Sequence, residues 1–65
     1  MIINNEKYIV IVESNNYDWK TVLARKISDN LYCVLRITHT GKISFIKENI
    51  KSFNDAKEIF YKYEG

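Results

Sequence analysis

The chain has 65 residues, of which 46% are hydrophobic and 14% aromatic, with no proline and one cysteine. This length allows one domain at most, residues 1–65, and a domain this small buries only about 60% of its unfolded surface, so a partner chain would add stability. Because Cys33 is the only cysteine, the chain cannot form an internal disulfide. Cys33 and the single histidine, His39, are too few ligands for a structural zinc site. The net charge of +2 comes from interleaved charges and is unlike the basic stripe of a dedicated nucleic-acid binder.

The segment that opens the chain, Met-Ile-Ile-Asn-Asn-Glu, lacks the basic and apolar regions of a signal peptide. No apolar run approaches the roughly 20 residues that cross a bilayer. We therefore expect a cytoplasmic protein without membrane partners, and the unpaired Cys33 is compatible with that compartment.

The first predicted element is a strand over residues 6–13, built on the β-branched run from Tyr8 to Val12. Because both faces of this run are apolar, we expect a strand that is interior or covered on both sides. A turn cluster of serine and asparagine follows at residues 14–16.

Residues 19–27 fit two interpretations. As a strand they place Trp19 and Leu23 on one face, and as a helix over residues 16–27 they place Trp19, Val22, Leu23 and Ile27 near one stripe. We favour the strand because the Ser28-Asp29-Asn30 segment that follows suits a three-residue hairpin loop. The helical alternative would give the order β-α-β-β-α.

Two hairpin loops set the predicted register. His39-Thr40-Gly41 suits a three-residue loop because glycine stands where a positive φ is required. With both loops in place, Leu23 faces Leu35 and Leu35 faces Phe45. One face of strands 19–27, 31–38 and 42–48 then collects the apolar residues Leu23, Ile27, Leu31, Cys33, Leu35, Ile37, Ile43 and Phe45.

The last predicted element is a helix over residues 53–63. Ser52 and Asp55 have capping-box spacing, and Ala56, Ile59 and Phe60 follow at helical intervals. The predicted fold is therefore α+β: an antiparallel four-stranded meander with this helix packed on its apolar face.

The other face of the predicted sheet provides the candidate site. It has an apolar centre and a rim of tyrosine, arginine and lysine, which resembles the composition of protein interfaces. The residues predicted to bind a partner are Tyr32, Val34, Arg36, Ile46, Lys26 and Lys20.

Catalytic chemistry has little support in the sequence. Cys33, on the predicted core face, is several residues away from His39, the only histidine, and the carboxylates are dispersed along the chain. The two glycines cannot form a phosphate-binding loop. We expect no catalytic site, no metal and no cofactor.

The sequence thus predicts a small non-enzymatic protein that occupies the surface of a partner protein or pairs with itself as a homodimer. Stand-alone proteins of this size and composition are common among phage and mobile-element products, including inhibitors of host defence such as anti-CRISPR proteins. The alternative is a nucleic-acid-binding regulator, in which Tyr32 would stack on a base and Lys20, Lys26 and Arg36 would contact phosphates.

Overall fold

A computed structural model describes residues 1–64 and shows an α+β fold, a curled antiparallel sheet with one C-terminal helix. The sheet order follows the chain order, β1-β2-β3-β4-β5. The elements are β1 (Ile2–Ile3), β2 (Glu6–Asn15), β3 (Trp19–Lys26), β4 (Tyr32–Thr38), β5 (Ile43–Ile50) and α1 (Phe53–Tyr63).

The predicted elements agree with this structure to within two residues at every boundary, and the bounds of the helix are the same. Because β3 is a strand, the alternative with a helix over residues 16–27 is wrong. The sheet has five strands where the sequence predicted four. The extra strand, β1, is only two residues long and pairs with Glu6 and Lys7 at the beginning of β2.

The hairpin between β4 and β5 has the predicted register next to its loop, but two irregularities shift the pairing further along, so that Val34 faces Lys47. Gly41 has a φ of +91°, and the N–H of Thr38 donates to the carbonyl of Lys42 across the loop at 2.9 Å. Leu35 therefore faces Phe45, as predicted.

The predicted register between β3 and β4 is wrong by one residue. The N–H of Lys26 donates to the carbonyl of Leu31, so Ile27 joins the loop and the loop has four residues instead of three. The guanidinium of Arg25 donates to the side chain of Asn30 at 2.7 Å and holds this longer loop. Leu23 consequently faces Val34. A slip of one residue exchanges every β4 side chain between the two faces.

Both faces of the sheet are hydrophobic core. The helix covers the first face, which we call the helix face, where Leu23, Val34, Ile50, Ala56 and Phe60 are buried together. The opposite face is concave and buries Ile3, Tyr8, Val22, Ala24, Cys33 and Leu35. Curling of the sheet brings the rings of Tyr8 on β2 and Phe45 on β5 to a centroid distance of 6.4 Å, and this closes the concave face without a second helix.

The helix begins where the sequence predicts. Ser52 has extended backbone angles, and its hydroxyl accepts a hydrogen bond from the N–H of Asp55 at 3.3 Å. At the other end of the helix, the carbonyl of Tyr63 accepts a hydrogen bond from the hydroxyl of Thr21, which is fully buried on β3. These contacts fix the direction in which the helix crosses the sheet.

Candidate partner-binding surface

The six residues predicted to bind a partner lie on opposite faces of the sheet. Tyr32, Val34 and Ile46 belong to the helix face, and Arg36 joins them because it faces Thr21, the residue that contacts the helix end. The side chains of Lys20 and Lys26 lie on the concave side. The prediction that all six share one open face is wrong, because it rested on the slipped register.

Three of the helix-face residues are committed to packing. Val34 is fully buried, so no partner can touch its side chain while the helix is in place. Ile46 is half-buried in the same cluster. The ring of Tyr32 lies 5.5 Å from the ring of Phe53, the first residue of the helix.

The two lysines each have a carboxylate partner within the chain. The ammonium of Lys20 lies 3.7 Å from Glu13, and that of Lys26 lies 3.7 Å from Asp29. Exposed pairs of this kind contribute little to stability, but each reduces the free positive charge at its position. Lys20 and Lys26 therefore do not provide the uncompensated positive charge that phosphate binding requires.

The structure places an open cleft of about 280 Å³ at one end of the sheet. It lies between the β2–β3 turn and the β4–β5 turn, which emerge at the same end of the meander. We call this end, with its cleft, the loop end. Its lining residues are Asn15, Asn16, Tyr17, Asp18, Trp19, Lys20, Ile37, Thr38 and His39.

Tyr17 stands at the tip of the loop end and is fully exposed, with a fractional exposure of 101%. The turn that carries it is held by the side-chain oxygen of Asn16, which accepts hydrogen bonds from the N–H of Asp18 at 3.0 Å and that of Trp19 at 3.4 Å. The N–H of Asn16 also donates to the carbonyl of Trp19 at 2.9 Å. A fixed turn thus presents a large aromatic side chain that has no packing role.

Behind this tip, the guanidinium of Arg36 lies 4.1 Å from the centre of the Trp19 ring. This cation–π contact fixes the indole that lines the cleft. The Nε–H of Arg36 and the indole N–H of Trp19 are both buried and have no acceptor among residues 1–64. Unpaired buried donors are rare and costly, so this end of the molecule has hydrogen-bonding capacity that the described chain does not use.

Two of the predicted residues contribute to the loop end. Lys20 lines the cleft, and Arg36 supports its tryptophan. Tyr17, Trp19 and His39 were not among the site residues predicted from the sequence. The signal that could have found them is topological, because alternate turns of an antiparallel meander emerge at the same end of the sheet and bring their residues together.

Cys33 is poorly suited to be a nucleophile. It is buried on the concave face, and this burial, with a smaller contribution from Glu48, raises the pKa of its thiol to about 11. The thiol is therefore protonated at neutral pH, whereas the thiolate is the reactive form. Within residues 1–64, no group of three or more histidine, cysteine, aspartate or glutamate side chains could hold a metal ion.

Comparisons with protein families, with curated proteins and with solved structures find no match to this chain. In the part of the chain that the structure describes, no helix is long and apolar enough to cross a membrane. The assignment of a function therefore depends on the geometry of the loop end.

Proposed function

We propose that this protein is a non-enzymatic protein-binding module that docks on a partner protein through the loop end. The observation that carries the proposal is the fully exposed Tyr17 on a fixed turn beside a cleft lined by Trp19. Tyrosine, tryptophan and arginine are the residues most often found at the energetic centre of protein interfaces. All three occur together here, with Tyr17 on the β2–β3 turn, Trp19 at the beginning of β3 and Arg36 on β4.

The arrangement of these residues supports docking by an anchor. A tyrosine on a rigid turn loses little conformational entropy when it enters a pocket, since only two side-chain torsions become ordered. The cleft beside it, which Trp19 and Lys20 line, can receive a side chain of the partner. The mechanism is steric: the protein covers the surface that it binds.

The proposal extends to the biological role of the protein and to its location in the cell. A small module that acts only by covering a surface suits an inhibitor, and phage-encoded inhibitors of host defence proteins, such as anti-CRISPR proteins, work on this principle. A cytoplasmic location suits the free thiol of Cys33.

The nucleic-acid alternative is less well supported by the charges. Tyr17 and Trp19 could stack on bases, but the ammonium of Lys20 is paired with Glu13, and Asp18 adds a further negative charge to the cleft. Phosphate binding depends on uncompensated cations and produces a steep dependence on salt. Binding of single-stranded or duplex nucleic acid that weakens steeply with salt would favour this alternative over the proposal.

Replacing Tyr17 with alanine should weaken partner binding by about 30-fold, which corresponds to the loss of one interface hot spot of roughly 2 kcal/mol. The fold should be unaffected, because the side chain packs against nothing. The tagged wild-type protein would first capture its partner from the native host for identification by mass spectrometry. Affinities of purified partner for each variant would then be measured by calorimetry.

The matched control is Tyr61→Ala, since Tyr61 is also an exposed tyrosine, at 58%, but lies on the helix. We expect this variant to bind the partner with wild-type affinity. Equal affinity of the wild type and Tyr17→Ala for the captured partner would contradict the proposal, and a loss confined to Tyr61→Ala would move the binding surface to the helix.

A further inference from the structure

The second strand has an edge that is open along most of its length. On one side β2 pairs with β3 from Tyr8 to Asn15, with one irregularity between Val10 and Val12. On the other side β1 covers only its beginning, where the N–H of Tyr8 donates to the carbonyl of Met1 at 2.8 Å and the amino terminus donates to the carbonyl of Tyr8 at 3.2 Å. Among residues 1–64, nothing pairs with the outer edge over residues 9–15.

The side chains along this open edge are apolar and exposed. Ile9, Val10, Ile11 and Val12 are each between 38% and 43% exposed. They serve both faces of the sheet, because Ile9 and Val12 face helix-side residues of β3 while Val10 faces Ala24 on the concave side. From its sequence, this strand was expected to be interior or covered on both sides. That expectation is wrong within a single chain.

Natural sheets protect such edges with charges, proline or bulges. Within residues 9–15 the only charged side chain is Glu13, and the chain contains no proline. The bulge between Val10 and Val12 is the one protective feature. The other edge of the sheet is better defended, since β5 carries Lys47 and Glu48 and has a left-handed residue, Asn49, with a φ of +60° just before its last residue.

We infer that the partner of this edge is the β2 strand of a second copy of the chain, paired antiparallel across a twofold axis. This inference concerns a surface separate from the loop end and goes beyond the proposed function. The difference between the two edges favours it, because pairing of β2 with the β5 edge of another copy would meet the charged positions and would propagate without closing. Pairing of β2 with β2 closes after two copies.

The open length of the edge sets how the two strands overlap. The partner strand must lie along residues 9–15, because further towards the amino terminus it would meet β1. Two antiparallel copies of this stretch overlap fully when the twofold axis lies near Val12. Each strand then covers apolar side chains of the other on both faces of a continuous ten-stranded sheet.

The charges are compatible with this overlap. The twofold axis near Val12 brings the two copies of Glu13 towards each other, and each carboxylate lies 3.7 Å from the ammonium of Lys20 in its own chain. The repulsion that would otherwise oppose pairing is therefore compensated within each copy. Backbone N–H and C=O groups that are open in one chain become paired in two.

Sedimentation equilibrium over a roughly thousandfold range of concentration tests the inference, because the population of a dimer depends on the concentration of the chain. We expect the mass to rise from the 7.7 kDa of one chain to twice that value and no further. Val12→Lys should weaken the dimer by about tenfold or more, since residue 12 lies opposite its own copy at the twofold axis and the two lysines would repel each other there. Ile43→Lys is the matched control, because Ile43 is 38% exposed against 39% for Val12 but lies on β5, and it should dimerise as the wild type does.

Amide hydrogen exchange keeps the inference falsifiable if Val12→Lys fails to fold. In the wild type, protection of amides within residues 9–15 should increase with concentration, while that of β5 amides should not. A wild type that stays monomeric throughout, a mass that grows beyond two chains, or a dimer that protects other residues would each overturn the inference. If the protein stayed monomeric, the open edge of β2 would instead be available for pairing with an extended strand of an unrelated protein.

Discussion

Val34→Lys is expected to leave most of the protein unfolded. Val34 is fully buried between β3, β5 and the helix, in a cluster formed by apolar side chains. Burial of an unpaired ammonium is one of the few changes that cost roughly 4 kcal/mol or more. A 65-residue domain has a stability of about 3–10 kcal/mol at typical values per residue, so a loss of this size is comparable with the whole.

The Val34→Lys result would separate the observed register from the predicted one. In the predicted register Val34 lies on an open face, where lysine would be tolerated. Val10→Lys is the matched control, since Val10 is 39% exposed on β2, and in dilute solution it should change the free energy of unfolding by about 0.5 kcal/mol or less. Urea unfolding followed by far-ultraviolet circular dichroism measures both variants. A Val34→Lys protein as stable as Val10→Lys would contradict the placement of the helix.

Phe60→Ala should destabilise the protein by about 3–5 kcal/mol, the usual cost of removing a buried aromatic ring. Phe60 is the largest fully buried side chain of the described residues and is 1% exposed. It holds the helix on the sheet together with Ala56, and the helix covers Leu23 and Val34. Loss of the ring leaves a cavity at the centre of the contact between the helix and the helix face.

Tyr61→Ala is the control for the helix, because Tyr61 is the next residue and points outward. Its ring lies 5.6 Å from that of Phe60, so we expect a cost of about 1 kcal/mol or less. The difference between the two variants in the free energy of unfolding follows from their urea midpoints, when both show the same dependence of that free energy on urea concentration. If Phe60→Ala cost no more than Tyr61→Ala, the helix would not be docked through this ring.

The elements of the fold could be predicted because their signals are local. Ser52 and Asp55 mark the beginning of the helix, and Gly41 supplies the positive φ of the β4–β5 loop, so both features follow from single residues. The first strand could not be predicted in the same way. Ile2 and Ile3 are too few to form a pattern, and they become a strand only because the chain folds back on β2.

The register between β3 and β4 could not be predicted, because β3 has no polar face in its middle. Val22, Leu23 and Ala24 are all buried, so a slip of one residue exchanges one apolar set for another and the hydrophobic pattern does not choose between them. The loop sequence fits either length. Asn30 has the expected positive φ of +60° in the observed four-residue loop, as it would have had in a three-residue loop.

The loop end illustrates why candidate sites are harder to predict than elements. Tyr17 and His39 are 22 residues apart in the sequence and are joined only by the topology of the meander. The local sequence identifies a turn residue only as a former of a loop and does not indicate what its side chain could bind. The predicted patch failed for the opposite reason, since its apolar centre was the core beneath a helix and not a surface.

The helix covers the face that carries Leu23 and Val34 and so removes the centre of the predicted patch from solvent, and the proposal for the loop end rests on this placement. Nuclear Overhauser effects from the ring protons of Phe60 test it most directly, because they report only close proton pairs. The account predicts cross-peaks to the methyl groups of Leu23, Val34 and Ile50, which share its cluster. Cross-peaks to Leu35 and Val22, which lie in the concave cluster, in place of those to Val34 would contradict the account.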